Sequence, residues 1–372
     1  MTPFRAIVGI DALGLSNQTF AIVMALSAAG SALASVVLGW LSDRTSDRRV
    51  LVALCAVIGV LAYGILWLVQ TPLAFIVAFC VLVPFGAALF SQSFAFSRAY
   101  YDRHSPDRSE FLMSLLRSGF TLAWILFPPF AGWIASQFAA FSVFGVSMIA
   151  HALATLAVGL LWTQEDTNLG ALEGEQSTAT GPIRLARTFW FGIPAVVLAQ
   201  VAIQINLTVL PLIIIRDLAG NLQQVGLNAA FAAVLEVPVM IAWGVLAIRL
   251  KKDIILGLAV AIFAVYFVGM SFVGSFAHVL ALQIPAAIAI AALLSINISY
   301  LQSVFSGRVG LSTSLLDVTT VVSAVLAASL FALFATESYK PMMPVAVVIC
   351  CLSLCLFGIA HLTVKSEQSQ KV

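Results

Sequence analysis

Three ionisable side chains lie inside long apolar stretches: Arg117, Glu236 and Asp317. An ionised group in hydrocarbon costs on the order of 3 kcal/mol or more, so each needs a partner, a wet cavity or a neutral state. Arg117 is about six residues inside the stretch 111–135, roughly 9 Å deep at 1.5 Å per residue. Asp317 lies at a similar depth in 311–335. Either side chain could instead reach back to the headgroups. Glu236, near the middle of 226–247, is too deep and too short for that. Its plain structural role would be a neutral acid hydrogen-bonded between helices. Its chemical role would be to take up and release a proton, with Asp317 as the second candidate.

Uncharged polar groups cluster as well. Gln200, Gln204 and Asn206 share one apolar stretch, Ser295, Asn297 and Ser299 another, and Gln92 closes a third. Gln200 and Gln204 are four residues apart and share a helix face. Amides both donate and accept, which suits a hydroxyl-rich ligand. They also serve as polar glue between helices. Trp124, seven residues from Arg117, could cover the apolar face of a ring or stand as bulk against lipid. The five cysteines, Cys55, Cys80, Cys350, Cys351 and Cys355, all sit in apolar runs and read as small fillers. Cys351 and Cys355 are one helical turn apart. The histidines His104, His151, His278 and His361 form no HExxH-type cluster. No metal or cofactor is expected. With no convergent nucleophile, metal cluster or carboxylate pair, the chain reads as something other than an enzyme.

The elements that must hold these groups follow from composition. The chain is 62% hydrophobic and 9% charged, with mean hydropathy +1.07. Soluble domains carry about 25% charged residues, so this pattern means a polytopic membrane protein. A net charge of +2 without a basic aromatic patch gives no reason to expect nucleic acid as a partner. Eleven runs are long enough to span: 19–41, 50–69, 73–94, 111–135, 141–162, 190–213, 226–247, 254–273, 279–300, 311–335 and 343–364. In lipid the backbone must satisfy itself, so each is expected as a helix. Proline interrupts several, at Pro84, Pro128, Pro129, Pro211, Pro238 and Pro285.

Arg44, Arg48, Arg49, Arg98, Arg103, Arg108, Arg184, Arg187, Arg249, Lys251, Lys252, Arg308, Lys365 and Lys371 all fall on one side of these spans. The other side holds only Arg5, Arg216 and Lys340. By the positive-inside rule the first side is cytoplasmic, and the C-terminus with it. The polar stretch 163–188 reads as a flexible cytoplasmic linker between a bundle at 1–162 and one at 189–372. The halves look like parallel repeats. Ser114-Leu115-Leu116-Arg117 is echoed by Ser314-Leu315-Leu316-Asp317, Gly39-Trp40-Leu41 by Gly244-Val245-Leu246, and Gln92-Ser93 by Gln302-Ser303.

The segment Gly39-Trp40-Leu41-Ser42-Asp43-Arg44-Thr45-Ser46-Asp47-Arg48-Arg49 packs charge between two spans. It resembles the loop between the second and third helices of the major facilitator superfamily. Gly39, Leu41, Asp43, Arg44 and Arg48 or Arg49 match, while Ser46 and Asp47 replace a later Gly and Arg. A narrower resemblance is carried by Phe94-Ala95-Phe96-Ser97-Arg98, Ser114-Leu115-Leu116-Arg117 and Leu122-Ala123-Trp124-Ile125-Leu126-Phe127-Pro128-Pro129. Further on it is carried by Ala233-Val234-Leu235-Glu236-Val237-Pro238-Val239-Met240-Ile241, and by Gln302 with Gly307-Arg308-Val309-Gly310. These are similar to the bacterial sugar efflux transporters.

The resemblance implies an all-α polytopic fold of two six-helix bundles in the inner membrane. It implies export of sugars or glycosides by a monomer, by exchange for protons. Arg117, Trp124, Gln200, Gln204, Asn206, Asn297 and Gln92 would line the substrate cavity, and Glu236 and Asp317 would couple protons. Gly39, Asp43, Arg44, Arg48 and Arg49 would form an inner gate loop, with Asp43 holding helix two against helix eleven. An exporter of drugs or another small metabolite is the alternative on the same fold. The family has twelve helices and this chain eleven apolar runs. Met1–Thr19 therefore reads as the outer end of a first helix and its loop, with only helices two to six complete in the first bundle. The expectation is that the missing span is encoded upstream or has been lost, leaving a defective form.

Overall fold

The computed structural model describes residues 2–42, 45, 47–164, 187–304, 309–336 and 338–369. Eleven helical stretches follow the apolar runs: α1 (Asn17–Ser42), α2 (Arg48–Leu68), α3 (Pro72–His104), α4 (Ser109–Gln137), α5 (Ser142–Leu161), α6 (Arg187–Leu212), α7 (Leu222–Leu246), α8 (Lys252–Ser271), α9 (Phe276–Val304), α10 (Val309–Phe334) and α11 (Met342–Ser369). Among the described residues ten are long and apolar enough to cross a membrane, which makes this a multi-pass membrane protein. In α10 the apolar piece Val318–Phe334 is shorter, so the expected count of eleven stands at ten among the described residues.

Local chemistry starts the helices where the polar loops end. The Asp47 carboxylate accepts from the Arg49 backbone N–H at 2.9 Å and caps α2. Thr71 caps α3 with Pro72 in its first turn. Asn221 and Gln224 form a reciprocal capping box at the start of α7. Within α3, the segment Ala78–Leu82 widens into a π-helical turn just before Pro84. Proline removes an N–H and crowds the carbonyl four residues back, here that of Cys80. Gly30 of α1 makes room for this bulge: a Cβ there would lie 2.7 Å from the Cys80 carbonyl oxygen.

The chain forms two compact units, Met1–Glu175 and Gln176–Val372. In the first, α2 packs on α3 and α5, α1 packs on α3, and α4 contacts α3 and α5. In the second, α8 packs on α9 and α11, α7 packs on α9, and α6 packs on α10 and α11. The pairs α1–α3 and α2–α5 thus recur as α7–α9 and α8–α11, the arrangement expected of repeats. The turns that precede α1 and α7 repeat bond for bond. The Leu13 N–H donates to Val8 O and that of Leu15 to Gly9 O, both at 3.0 Å. The Leu218 N–H donates to Ile213 O at 3.0 Å and that of Gly220 to Ile214 O at 2.7 Å. Both turns end π-helical segments, Ile7–Ala12 and Ile213–Asp217. Residues 7–15 therefore have the conformation that follows α6 in the second unit.

Candidate functional site

In the first unit, α4 carries Arg117 and Trp124 seven residues apart on one face. Both are exposed, Trp124 by 40%. The Arg117 guanidinium has no ion-pair partner among the described residues, and its carbonyl accepts from the Thr121 hydroxyl. The next residue toward Trp124 on this helix surface, Phe120, packs its ring 4.5 Å from that of Phe90 on α3. Gln92, half-buried, lies two residues along α3 from Phe90. The corner between α3 and α4 is tied by Asp102, which accepts from Arg98 Nε at 2.9 Å and from the Ser109 hydroxyl. That corner sets the register of α4 eight residues before Arg117.

The gate loop is visible in part. Asp43 and Arg44 lie outside the described residues. Gly39 faces open space, where a Cβ would meet nothing within 4 Å. Arg48 is half-buried, with its Nε buried and unbonded. Arg49 is only 6% exposed. Its guanidinium grips the Asp47 carboxylate, with Nη2 to Oδ2 at 2.7 Å, and donates from Nη1 to the carbonyls of Leu161 (3.2 Å) and Gln164 (3.4 Å). It also lies 5.8 Å from the centre of the Trp162 ring. Arg49 therefore joins the start of α2 to the end of α5 within one unit. Burial pushes the Asp47 carboxyl up, but the Arg49 side chain, backbone N–H and charge together outweigh it, holding it below the usual carboxylate range. The second unit has a counterpart between α8 and α11. There His361 Nδ1 meets Asp253 Oδ2 at 2.5 Å, while the neighbouring Lys252 Nζ donates to Ser299 O of α9 at 2.9 Å. From the sequence alone Asp47 and His361 had no structural role, and Asp253 did not stand out. The signal for the first was an Asp two residues before an Arg at a helix start.

In the second unit, Gln200 and Gln204 share a half-buried face of α6, as their spacing requires. The Gln200 amide is 3.3 Å from the hydroxyl of Ser323 on α10, a residue the sequence did not single out. Gln204 has no polar side-chain partner among the described residues. Asn206 is elsewhere. Six residues from Gln200 is about 240° around a helix, and Asn206 is 4% exposed in the unit's interior. Its Oδ1 accepts from the Tyr266 hydroxyl of α8 at 2.7 Å. Tyr266 is fully buried and Gln283 of α9 nearly so. Asn297 on α9 is 6% exposed, with its Oδ1 buried and unbonded. Glu236 on α7 is half-buried and has no hydrogen-bond or ionic partner among the described residues. Seven residues on, the Trp243 indole N–H donates to Ile288 O at 2.8 Å and pins α7 to α9. The side chain of Asp317 lies outside the described residues, as does Gln302. No group of three or more metal-ligating side chains occurs among the described residues.

The model of the Major Facilitator Superfamily matches residues 4–199. A putative sugar efflux transporter from Deinococcus radiodurans is 26% identical over 87% of this chain and 84% of its own. Sugar efflux transporter B from Salmonella typhimurium is 29% identical over 81% of this chain and 77% of its own. Among solved structures, that of the peptide transporter POT superimposes with a TM-score of 0.77 at 16% identity, covering 97% of this chain and 91% of the other. At that identity the likeness speaks for the fold alone.

Proposed function

Since the chain belongs to the Major Facilitator Superfamily, we propose that it exports sugars or glycosides from the cytoplasm in exchange for protons, by alternating access. The observation that carries this reading is the similarity to sugar efflux transporters along more than four-fifths of the chain. These relatives are transporters, and the chain is not an enzyme. It works as a monomer in the inner membrane, with its C-terminus in the cytoplasm. Its bundles are 1–162 and 189–372, with 163–188 as linker.

Half-buried amides at Gln200 and Gln204 support a hydroxyl-rich solute, because an amide can meet a hydroxyl as donor or acceptor. Gln92, Asn297 and Arg117 add donors, and Trp124 offers a ring for the C–H face of a sugar. Asn206 acts from behind, holding α6 through Tyr266. Glu236, without a partner of its own among the described residues, is the proton site, and Asp317 is the second candidate. Gly39, Asp43, Arg44 and Arg48 form the inner gate loop, and Arg49 anchors it to the first bundle.

Counterflow in proteoliposomes tests the substrate class. Vesicles preloaded with an unlabelled disaccharide or alkyl glycoside should accumulate the labelled form transiently, and ethidium should not compete. Ethidium exchange without sugar exchange would overturn the sugar reading in favour of a drug exporter.

A further inference from the structure

Ser323 of α10 is completely buried and faces Gln200 of α6. Its single hydroxyl proton has two oxygens within reach. The Thr320 carbonyl is 2.8 Å away and the Gln200 Oε1 position 3.3 Å. A serine hydroxyl has one proton and two lone pairs, so it can fully serve only one of these acceptors. The nearer one, the backbone carbonyl one turn back, is a common partner for a helical serine. With the proton there, a lone pair of Ser323 points at Gln200. Two oxygens would then face each other with no proton between them. Turning the Gln200 amide over removes the conflict. The two amide ends are placed by their hydrogen-bond network, and this network favours nitrogen toward serine.

We infer that Ser323 fixes the Gln200 amide with Nε2 donating to the serine oxygen and Oε1 presented to the substrate as an acceptor. Ser323 is then a specificity-determining residue that makes Gln200 read a hydroxyl proton. Gln204, on the same face and without such a partner among the described residues, keeps both capacities. The pair would recognise a sugar hydroxyl that donates to Gln200, and would reject a group that can only accept. This inference rests on the proposed sugar reading and on Gln200 contacting the solute.

The test uses detergent-purified full-length protein and isothermal titration. Its probes are methyl β-glucoside, methyl β-galactoside and their single-position deoxy and deoxyfluoro analogues. Fluorine accepts weakly but cannot donate. At one ring position, both the deoxy and the deoxyfluoro analogue should bind about tenfold more weakly than the parent, the loss of one hydrogen bond. In Ser323→Ala the amide is free to turn, and the deoxyfluoro analogue should recover to within about threefold of the parent. Gln200→Leu should lose parent binding. Size-exclusion profiles identify any variant that fails to fold, and a folded Ser323→Ala in which the deoxyfluoro analogue stays about tenfold weaker than the parent would overturn the inference. Equal binding of parent and deoxyfluoro sugars at every position in the wild type would overturn the inference alone. If Gln200→Leu binds the parent as wild type does, Gln200 is not at the site, and the inference falls while sugar transport stands. If the wild type binds no sugar, the proposed function falls and the inference with it.

Discussion

Replacing Arg49 with alanine should destabilise the first unit more than any other change of a charged residue at its polar edge. The guanidinium is 6% exposed and makes a close ion pair with Asp47 plus bonds to two carbonyls at the end of α5. Breaking a fully buried ion pair costs about 3–5 kcal/mol. The Asp47 side chain is 17% exposed and regains some water, so the lower end, about 3 kcal/mol, applies. For a domain of this size that lowers the midpoint of thermal unfolding by roughly 6–12 °C. Arg49→Lys keeps the charge but not the fork of donors, and about half the loss should remain. Because the Asp47 carboxyl is held below its ordinary value in the folded chain, its contribution is present above the unfolded value of about 3.9. It is lost as pH falls through the folded value. The gap between wild type and Arg49→Ala should therefore be flat from about pH 5 to 8 and narrow only in stronger acid. Tryptophan emission of the purified protein during heating reads all of this. A midpoint for Arg49→Ala within about 2 °C of wild type would refute the claim that Arg49 clamps α2 to α5.

Other substitutions probe separate parts of the account. Gly86→Ala would set a Cβ 2.9 Å from the Gly59 Cα, a backbone atom that cannot rotate away. It should cost about 1–3 kcal/mol in a thermal melt. Gly39→Ala meets open space and should fold at least as well as wild type. Lost export in a well-folded Gly39→Ala would then report on the gate loop itself. Tyr266→Phe strands the buried Asn206 Oδ1 and should cost about 1–3 kcal/mol, with transport per folded molecule little changed. A large loss of sugar affinity instead would place Asn206 at the substrate. Glu236→Gln should abolish the response of export to a pH gradient while counterflow continues. Wild-type pH dependence in that variant would remove Glu236 as the proton site.

The spans were legible because lipid demands long apolar helices, and ten runs from Thr19 onward became such helices. The repeat was legible from short echoes, yet its clearest sign is a pair of backbone turns, at Val8–Leu15 and Ile213–Gly220, where the apolar matches Val8/Ile213, Ile10/Ile215 and Leu13/Leu218 are too short to read without the bonds. Gln200 and Gln204 could be placed on one face by counting. The same count puts Asn206 on another side, but only its bond to Tyr266, 60 residues away, reveals why it is polar there. Arg49 read as one of several loop charges. Its commitment to Leu161 depends on how α5 ends beside α2, and no local spacing records that. Ser323 looked like an ordinary helical serine until α6 was packed against α10.

The most direct test of the central claim is sugar movement against a gradient in inverted membrane vesicles, where the cytoplasmic face is outside. With an acidic interior, vesicles carrying this protein should accumulate a labelled glycoside above the external concentration. Collapsing the pH difference with a protonophore should return it to equilibrium. Uptake no greater than in vesicles lacking the protein, with folded protein present in the membrane, would contradict the account.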